Sequence, residues 1–437
     1  MYFSRSHTNT LVSYFALILI VLSCSNPKSP ATYDTDWKFQ SLRAEIDPGH
    51  WVSKEVQFEG TPTLVLSGDN KEYTNGSWTR TYDVVPEKYY EFTSYFKSEN
   101  VDQVDRSILS QITWLAADGQ RIAFIEYPGV RAKQANDGWN IIQQAYQVPS
   151  GATKAKIDLI YRWNDEGTVY FGGTSLKETD AIKPRMVRLA AIHHRPTQTA
   201  SPKENLDQFK GYIEMAGDQD ADIVCLPEGI TIVGTSKSYV EVSEPVPGPT
   251  TNFLGQLAQK HQMYIVAGIL EREGAVVYNT AVLMGRDGKL AGKYRKASLP
   301  REEIEGGITP GDNFPVFDTD FGKIGMMICW DVFFPEPARA LSSKGAEIIF
   351  MPIWGGDLTL SKARAIENQI YLVSSTYDMK TGVFDKKGDL IVEGTEENPV
   401  VVVDVDLNQR ELWDWLGEFR NRIQREMPSH QAVTISN

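Results

Sequence analysis

Three residues of this chain stand where strand-like runs end and carry side chains able to do chemistry. Glu228 closes "ADIVCLPE", Lys296 closes "GKYRK" and Cys329 closes "KIGMMIC". A cysteine attacks a carbonyl as its thiolate, and a free thiol is mostly protonated at neutral pH, so it needs a base. Histidine is the usual base, but His7, His50, His193, His194, His261 and His430 lie in no recognisable cysteine-protease context. A glutamate can take the proton instead, and a lysine can stabilise both a thiolate and an oxyanion. Glutamate, lysine and cysteine together are chemically complete for acyl transfer. Taken alone, Cys329 would read as inert packing, as most buried cysteines do. Cys225 sits inside an apolar strand three residues before Glu228 and is expected to be packing.

The elements that must hold these residues alternate between strand and helix. "VRLAAIHH" reads as a strand. "SPKENLDQFKGYIEMA" reads as a helix, with Ser201 as cap, Pro202 at the first position and Glu204 completing a capping box. Leu206, Phe209, Ile213 and Ala216 form its apolar stripe. "TNFLGQLAQKHQ", "PEPARALSSKGA" and "LSKARAIENQ" are further helices; "MYIVAGIL", "EIIFMPIW", "IYLVSST" and "VVVVDVDL" are strands, and "VVYNTAVLMGRDGKLAGKYRK" is a strand pair turning at Asp287-Gly288. Such alternation predicts a layered α/β domain, in which catalytic groups collect at strand ends. Arg364 and Glu367, at i and i+3 of one helix, are expected to pair structurally.

The segments "LPEGI", "YRKASLPREEIEGGITPGDNFPVFDTDFGKIGMMICWDVFFPEPARALSSKGAEIIFMP" and "ARAIENQIYLV" together resemble the nitrilase, or carbon–nitrogen hydrolase, superfamily. The resemblance spans essentially all of residues 187 to about 410. It implies an αββα sandwich, often paired into a homodimer, and an enzyme that hydrolyses non-peptide carbon–nitrogen bonds without metal or organic cofactor. By the same resemblance Glu228 is the general base, Lys296 stabilises the oxyanion with the backbone N–H of Trp330, and Cys329 is the nucleophile. The family has a second glutamate shortly after the lysine, which positions substrate and lysine. "REEIE" offers Glu302, Glu303 and Glu305, and the spacing from Lys296 favours Glu303. The expected substrate is a small amide or N-carbamoyl compound. A nitrile hydrolase or an N-acyltransferase could use the same triad, and a surface-anchored binding protein is the non-enzymatic alternative.

The remainder of the chain reads differently. Residues 1–23 carry one charged residue, Arg5, and an apolar core dense from Tyr14 to Leu22, too short for a comfortable membrane span. They read as a signal ending in "VLSC", which resembles a bacterial lipobox with Cys24 as the lipidated residue. That implies an exported lipoprotein, periplasmic or at the cell surface, held to the membrane by its lipid alone. Residues 24–34 form a polar, proline-bearing tether. Residues 35–180 show short period-two runs between turn signals, which predicts an all-β sandwich of the jelly-roll kind. "AKIDLIYRW" puts Ile157, Leu159, Tyr161 and Trp163 on one face, and "YEFTSYFKS" does the same for Phe92, Ser94 and Phe96. Trp78, Trp114, Trp139 and Trp163 raise glycan contact as a reading, against the commoner one of core packing. Residues 187–437 are then the hydrolase domain.

The whole composition suits two or three globular domains: 437 residues, 41% hydrophobic and 23% charged. A formal net charge of −13 argues against general binding to nucleic acid or to anionic headgroups. Three cysteines are far too few for a disulfide scaffold.

Overall fold

Period-two alternation in the first half becomes two antiparallel sheets in the computed structural model, which describes residues 36–426 apart from 72, 130–132, 414–415 and 424. The expected signal and Cys24 lie outside the described residues. One sheet runs in the order Lys38–Ser41, Asn75–Asp83, Lys154–Arg162, Ile108–Leu115. The other runs Gly49–Phe58, Thr61–Ser67, Thr168–Thr179, Tyr89–Glu99, Asn140–Gln147, Lys133–Gln134. Phe92, Phe96, Ile157, Leu159 and Tyr161 fill one shared core between them. Alternation demands this, because every second side chain of a strand meets the same face.

Trp163 departs from that pattern. The strand ends at Arg162, Trp163 takes φ 57°, and its N–H turns to the carbonyl of Thr74 at 2.7 Å. The ring is therefore turned outward, 40% exposed, with the Arg162 guanidinium 3.8 Å and that of Arg106 5.0 Å from its centroid. Trp78, Trp114 and Trp139 are buried in the sandwich.

The second half builds four layers. One sheet has the order Leu290–Arg295, Val276–Met284, Tyr264–Glu273, Ile223–Cys225, Met186–Ile192, Val400–Asp406. Its outer face packs on the helices Pro202–Gly217 and Pro249–His261 through Ala190, Val224, Ile265 and Ala267. The alternate residues Leu189, Ala191, Ile223, Cys225 and Val266 face inward, against Ile324, Met326, Ile348 and Phe350 of a second sheet. That sheet runs Val316–Asp318, Lys323–Met326, Ile348–Pro352, Tyr371–Ser375, Thr381–Phe384, Leu390–Gly394, and the helices Pro335–Ser343 and Leu358–Asn368 pack on its far side. Strands buried on both faces read as continuous apolar runs, which is why "ADIVCL" and "EIIFMPI" look alike.

The first helix is capped as its sequence predicts, with one change. Ser201 Oγ accepts from the Glu204 N–H at 3.3 Å, a contact worth about 1 kcal/mol. The Glu204 carboxylate, however, accepts from the N–H of Ala200 at 2.6 Å rather than from that of the cap residue.

Arg410 and Asn421 reach from the C-terminal stretch to Glu126 and Tyr127 of the sandwich. Arg410 pairs with Glu126 at 2.5 Å and with Glu418 at 2.8 Å, and its guanidinium lies 5.1 Å from the Tyr146 ring centroid.

Candidate active site

Glu228 lies three residues past the strand Ile223–Cys225, so the strand expected to run up to it stops short. Two contacts with the neighbouring strand fix the intervening turn: Gly268 N–H donates to Pro227 O at 3.1 Å, and Ile230 N–H donates to Gly268 O at 3.0 Å. Nothing larger than glycine fits there, because a Cβ at 268 would stand 2.7 Å from Glu228 Cα. Lys296 directly follows the strand Leu290–Arg295, with its N–H on the Asn279 carbonyl at 2.8 Å. Glu303 sits on the short helix Arg301–Glu305 and is its one buried residue; Glu302 and Glu305 face out.

These elements bring three charged groups together out of water. Lys296 is 1% exposed, Glu228 4% and Glu303 6%. Lys296 Nζ donates to Glu228 Oε1 at 2.9 Å and to Glu303 Oε1 at 2.6 Å. Asn279 Nδ2 donates to the same two oxygens at 2.7 and 2.9 Å. The N–H of Trp354 donates to the other Glu228 oxygen, Oε2, at 2.9 Å. Among the described residues Glu303 Oε2 is buried with no hydrogen-bond partner. An unsatisfied buried acceptor is costly, so this oxygen is available to a donor that enters the site.

The charges shape one another. Burial opposes the Lys296 ammonium, but Glu228, Cys329 and Glu303 more than offset it and hold the amine above its ordinary value, hence charged. Burial lifts the Glu303 carboxyl to about 7; Lys296 draws it back down and Glu228 pushes it up. Burial, and then the Glu228 charge, push the Cys329 thiol up to about 12, with Lys296 and the backbone at Trp354 and Gly355 pulling the other way. At neutral pH Cys329 is therefore a thiol, and its proton must leave as it reacts.

Cys329 was expected at a strand end. The strand Lys323–Met326 stops three residues earlier, and Cys329 instead opens a tight 3₁₀ turn, Cys329–Phe333, at φ 41°. Left-handed backbone at a non-glycine residue is strained and persists only where neighbours enforce it. Asp331 supplies that enforcement. Its Oδ2 accepts from the Ile328 N–H at 2.9 Å and from the Tyr294 hydroxyl at 2.8 Å, and its Oδ1 accepts from the Ser298 N–H at 2.9 Å. One buried carboxylate thus ties the cysteine turn to the loop that carries Lys296. Cys329 Sγ donates to the Gly355 carbonyl at 3.2 Å. Arg364 fixes the far end of the turn through Val332 O at 3.1 Å and pairs with Glu367 at 2.7 Å, the structural role expected of it.

Cys225 is fully buried, and burial pushes its thiol well up. Both cysteines among the described residues are free. Among those residues no group of three or more His, Cys, Asp or Glu stands at metal-holding spacing. The arrangement as a whole is a neutral thiol, a carboxylate able to take its proton, and an ammonium able to hold a developing oxyanion.

Asn279, Asp331, Gly268 and the Trp354 N–H were not singled out by the sequence reading. Two left a trace. Asn279 is an amide inside the otherwise apolar "VVYNTAVLM", and Asp331 is an acid two residues past the cysteine.

A family model described as Carbon-nitrogen hydrolase matches residues 188–414. A protein named Nitrilase from Pyrococcus abyssi is 36% identical over 244 residues, covering 51% of this chain and 90% of that protein. Omega-amidase NIT2 from Bos taurus is 31% identical over 263 residues, covering 54% of this chain and 92% of its own length. A solved carbon–nitrogen hydrolase from Helicobacter pylori G27 is 24% identical with a TM-score of 0.46, covering 51% of this chain and 90% of that one.

Proposed function

The chain belongs to the carbon–nitrogen hydrolase family and is a hydrolase of carbon–nitrogen bonds other than peptide bonds, and from that premise we propose that Cys329 carries the reaction with Glu228 and Lys296. Cys329 Sγ attacks the carbonyl carbon of an amide or N-carbamoyl substrate while Glu228 takes the thiol proton. Burial and then the Glu228 charge push the thiol up to about 12, so its proton needs a base to receive it, and Glu228 is that base. The oxyanion forms beside the Lys296 ammonium, and the Trp330 N–H, next in the strained turn, is the second donor. Glu228 then returns its proton to the departing nitrogen, the C–N bond breaks, and a thioester remains on Cys329. Water gives a proton to Glu228 and attacks the thioester; the C–S bond breaks, Glu228 returns the proton to Cys329 Sγ, and the acid is released.

Glu303 orients Lys296 through its Oε1 and offers Oε2 to a substrate N–H. The observation that carries this reading is the Lys296 ammonium held between two buried carboxylates beside a free cysteine. The omega-amidase name of one relative supports an amide substrate, and the nitrilase name of another keeps nitriles in the assay.

The rest of the proposal stands on sequence and architecture. "VLSC" supports export and lipidation at Cys24. The two-sheet unit is read as a jelly-roll accessory domain, and a homodimer of the α/β domain is proposed from the family likeness. Of the tryptophans Trp78, Trp114, Trp139 and Trp163, the first three are core, so among these four glycan contact is left to Trp163.

Ammonia release from primary amides, N-carbamoyl compounds and nitriles, measured beside Cys329→Ala, tests the reading. Release from at least one class that vanishes in the variant supports it; release that survives the variant overturns it.

A further inference from the structure

The two buried carboxylates of the active site are answered by an amide as well as by the lysine. Lys296 Nζ donates to Glu228 Oε1 at 2.9 Å and to Glu303 Oε1 at 2.6 Å. Asn279 Nδ2 donates to the same two oxygens, at 2.7 and 2.9 Å. The two nitrogens and the two oxygens close a ring, each nitrogen bridging both carboxylates. With the Trp354 N–H on Glu228 Oε2, these are the hydrogen-bond donors to the pair among the described residues.

Strand register puts Asn279 there. Thr280 stands opposite Arg295, so Asn279 comes opposite Lys296, and opposed residues of an antiparallel pair share a face. The Lys296 N–H on the Asn279 carbonyl, at 2.8 Å, ties the two backbones at that point. Asn279 is 4% exposed, and its Oδ1 is buried with no hydrogen-bond partner among the described residues. Turned over, the amide would set that oxygen against two carboxylate oxygens, so it has one tolerable orientation. Its own acceptor goes unanswered while both its hydrogens serve the carboxylates.

The charges explain why a neutral donor belongs here. Two carboxylates beside one ammonium, out of water, favour holding a proton on one of them. Burial first, and then the Glu228 charge, lift the Glu303 carboxyl to about 7, against the pull of Lys296 and of the Asn279 hydrogen bond. Cys329, Tyr239, Tyr377, Asp331 and, beside Tyr239, Glu302 are the other titratable groups in electrostatic reach of this cluster. None of them donates to either carboxylate. Asn279 steadies both negative charges without adding one of its own.

Resting on the assignment of Glu228 as base for Cys329, we propose that Asn279 is a positioning residue of that reaction: its amide bridges Glu228 and Glu303 so that Glu228 stays anionic and in place beside a single lysine. A hydrogen bond to a carboxylate favours the charged form, and removing the amide takes one such bond from each.

The test reads the base through the thiol. Methyl methanethiolsulfonate transfers its methylthio group to a cysteine sulfur, methanesulfinate leaves, and peptide mass mapping gives the rate at Cys329 against pH. In the unaltered protein the rate is expected to rise through an acid limb and then level, as Glu228 becomes able to take the proton. Asn279→Leu keeps the branched shape without a donor and is expected to move that limb up by about one unit or more, about a tenfold slowing on the old limb. Asn279→Ser keeps one donor, should move the limb less, and decides the matter where the leucine variant does not fold. A limb left in place in the folded variant, or a slowing equal at every pH, overturns the proposal. Glu228→Gln separates it from the reading beneath it. Loss of the limb in Glu228→Gln with an unmoved limb in Asn279→Leu overturns the role of Asn279 alone; a limb that survives Glu228→Gln overturns Glu228 as base, and the proposal with it.

Discussion

Replacing Lys296 by Met removes the cation from a site in which two buried carboxylates depend on it. Its Nζ lies 2.9 Å from Glu228 and 2.6 Å from Glu303. At an effective dielectric of about 20, each contact is worth roughly 6 kcal/mol of attraction. Desolvation of the ions offsets most of that, so the net effect of removing one partner of a buried pair is about 3–5 kcal/mol. Lys296→Met strands two carboxylates, which places the loss near the top, about 5 kcal/mol at pH 8. At pH 5 a proton can replace the lost cation, because Glu303 already titrates at about 7. The loss should then shrink to about 2–3 kcal/mol. Urea unfolding of Lys296→Met at both pH values gives the two numbers, and the same pair of curves in a Glu303→Gln background gives the coupling, expected at about 1 kcal/mol or more. Equal destabilisation at pH 8 and pH 5, with additive effects of the two substitutions, would refute the reasoning.

Three further outcomes follow from the same contacts. Gly268→Ala drives a Cβ to within 2.7 Å of Glu228 Cα, so a folded variant should lose kcat by about tenfold or more, since small misplacements of catalytic groups cost that much; an unchanged kcat would show that the turn has room to move. Asp331→Asn exchanges a buried acceptor of three hydrogen bonds for an amide, and should cost about 1–3 kcal/mol in urea unfolding and lower kcat by loosening the Cys329 turn from the Lys296 loop. Glu303 has a folded value of about 7 against its ordinary 4.5, so its contribution to stability is fully present below pH 4.5 and is lost as pH rises through 7; Glu303→Gln should remove that part of the decline, seen as a flatter curve of unfolding free energy between pH 5 and 8.

How far the sequence reaches differs between parts of the molecule. The helix stripe Leu206, Phe209, Ile213, Ala216 and the strand faces around Ile157 and Phe92 are local periodicities, and each is buried as its period demands. Strands Thr381–Phe384 and Leu390–Gly394 escaped notice, because runs of four and five residues around a polar turn carry little period. Trp163 kept the strand period but fell one residue past the strand's end. Glu228, Lys296 and Cys329 stood out because each closes a strand-like run inside a motif that resembles the family. Their supports were not, since an orienting polar group is recognised by partners distant in sequence. Asn279 reaches Glu228 across 51 residues and Asp331 reaches Ser298 across 33. The strained φ at Cys329 has no signature in residue type at all.

The central claim is that the acyl group of the substrate passes through Cys329. Rapid acid quench during turnover of an amide that releases ammonia, followed by peptide mass mapping, tests it most directly. The account predicts an acyl mass increment on the peptide containing Cys329, none on that containing Cys225, and loss of both increment and ammonia in Cys329→Ala. Ammonia released at an undiminished rate by Cys329→Ala, or an acyl group mapped to another residue, would contradict it.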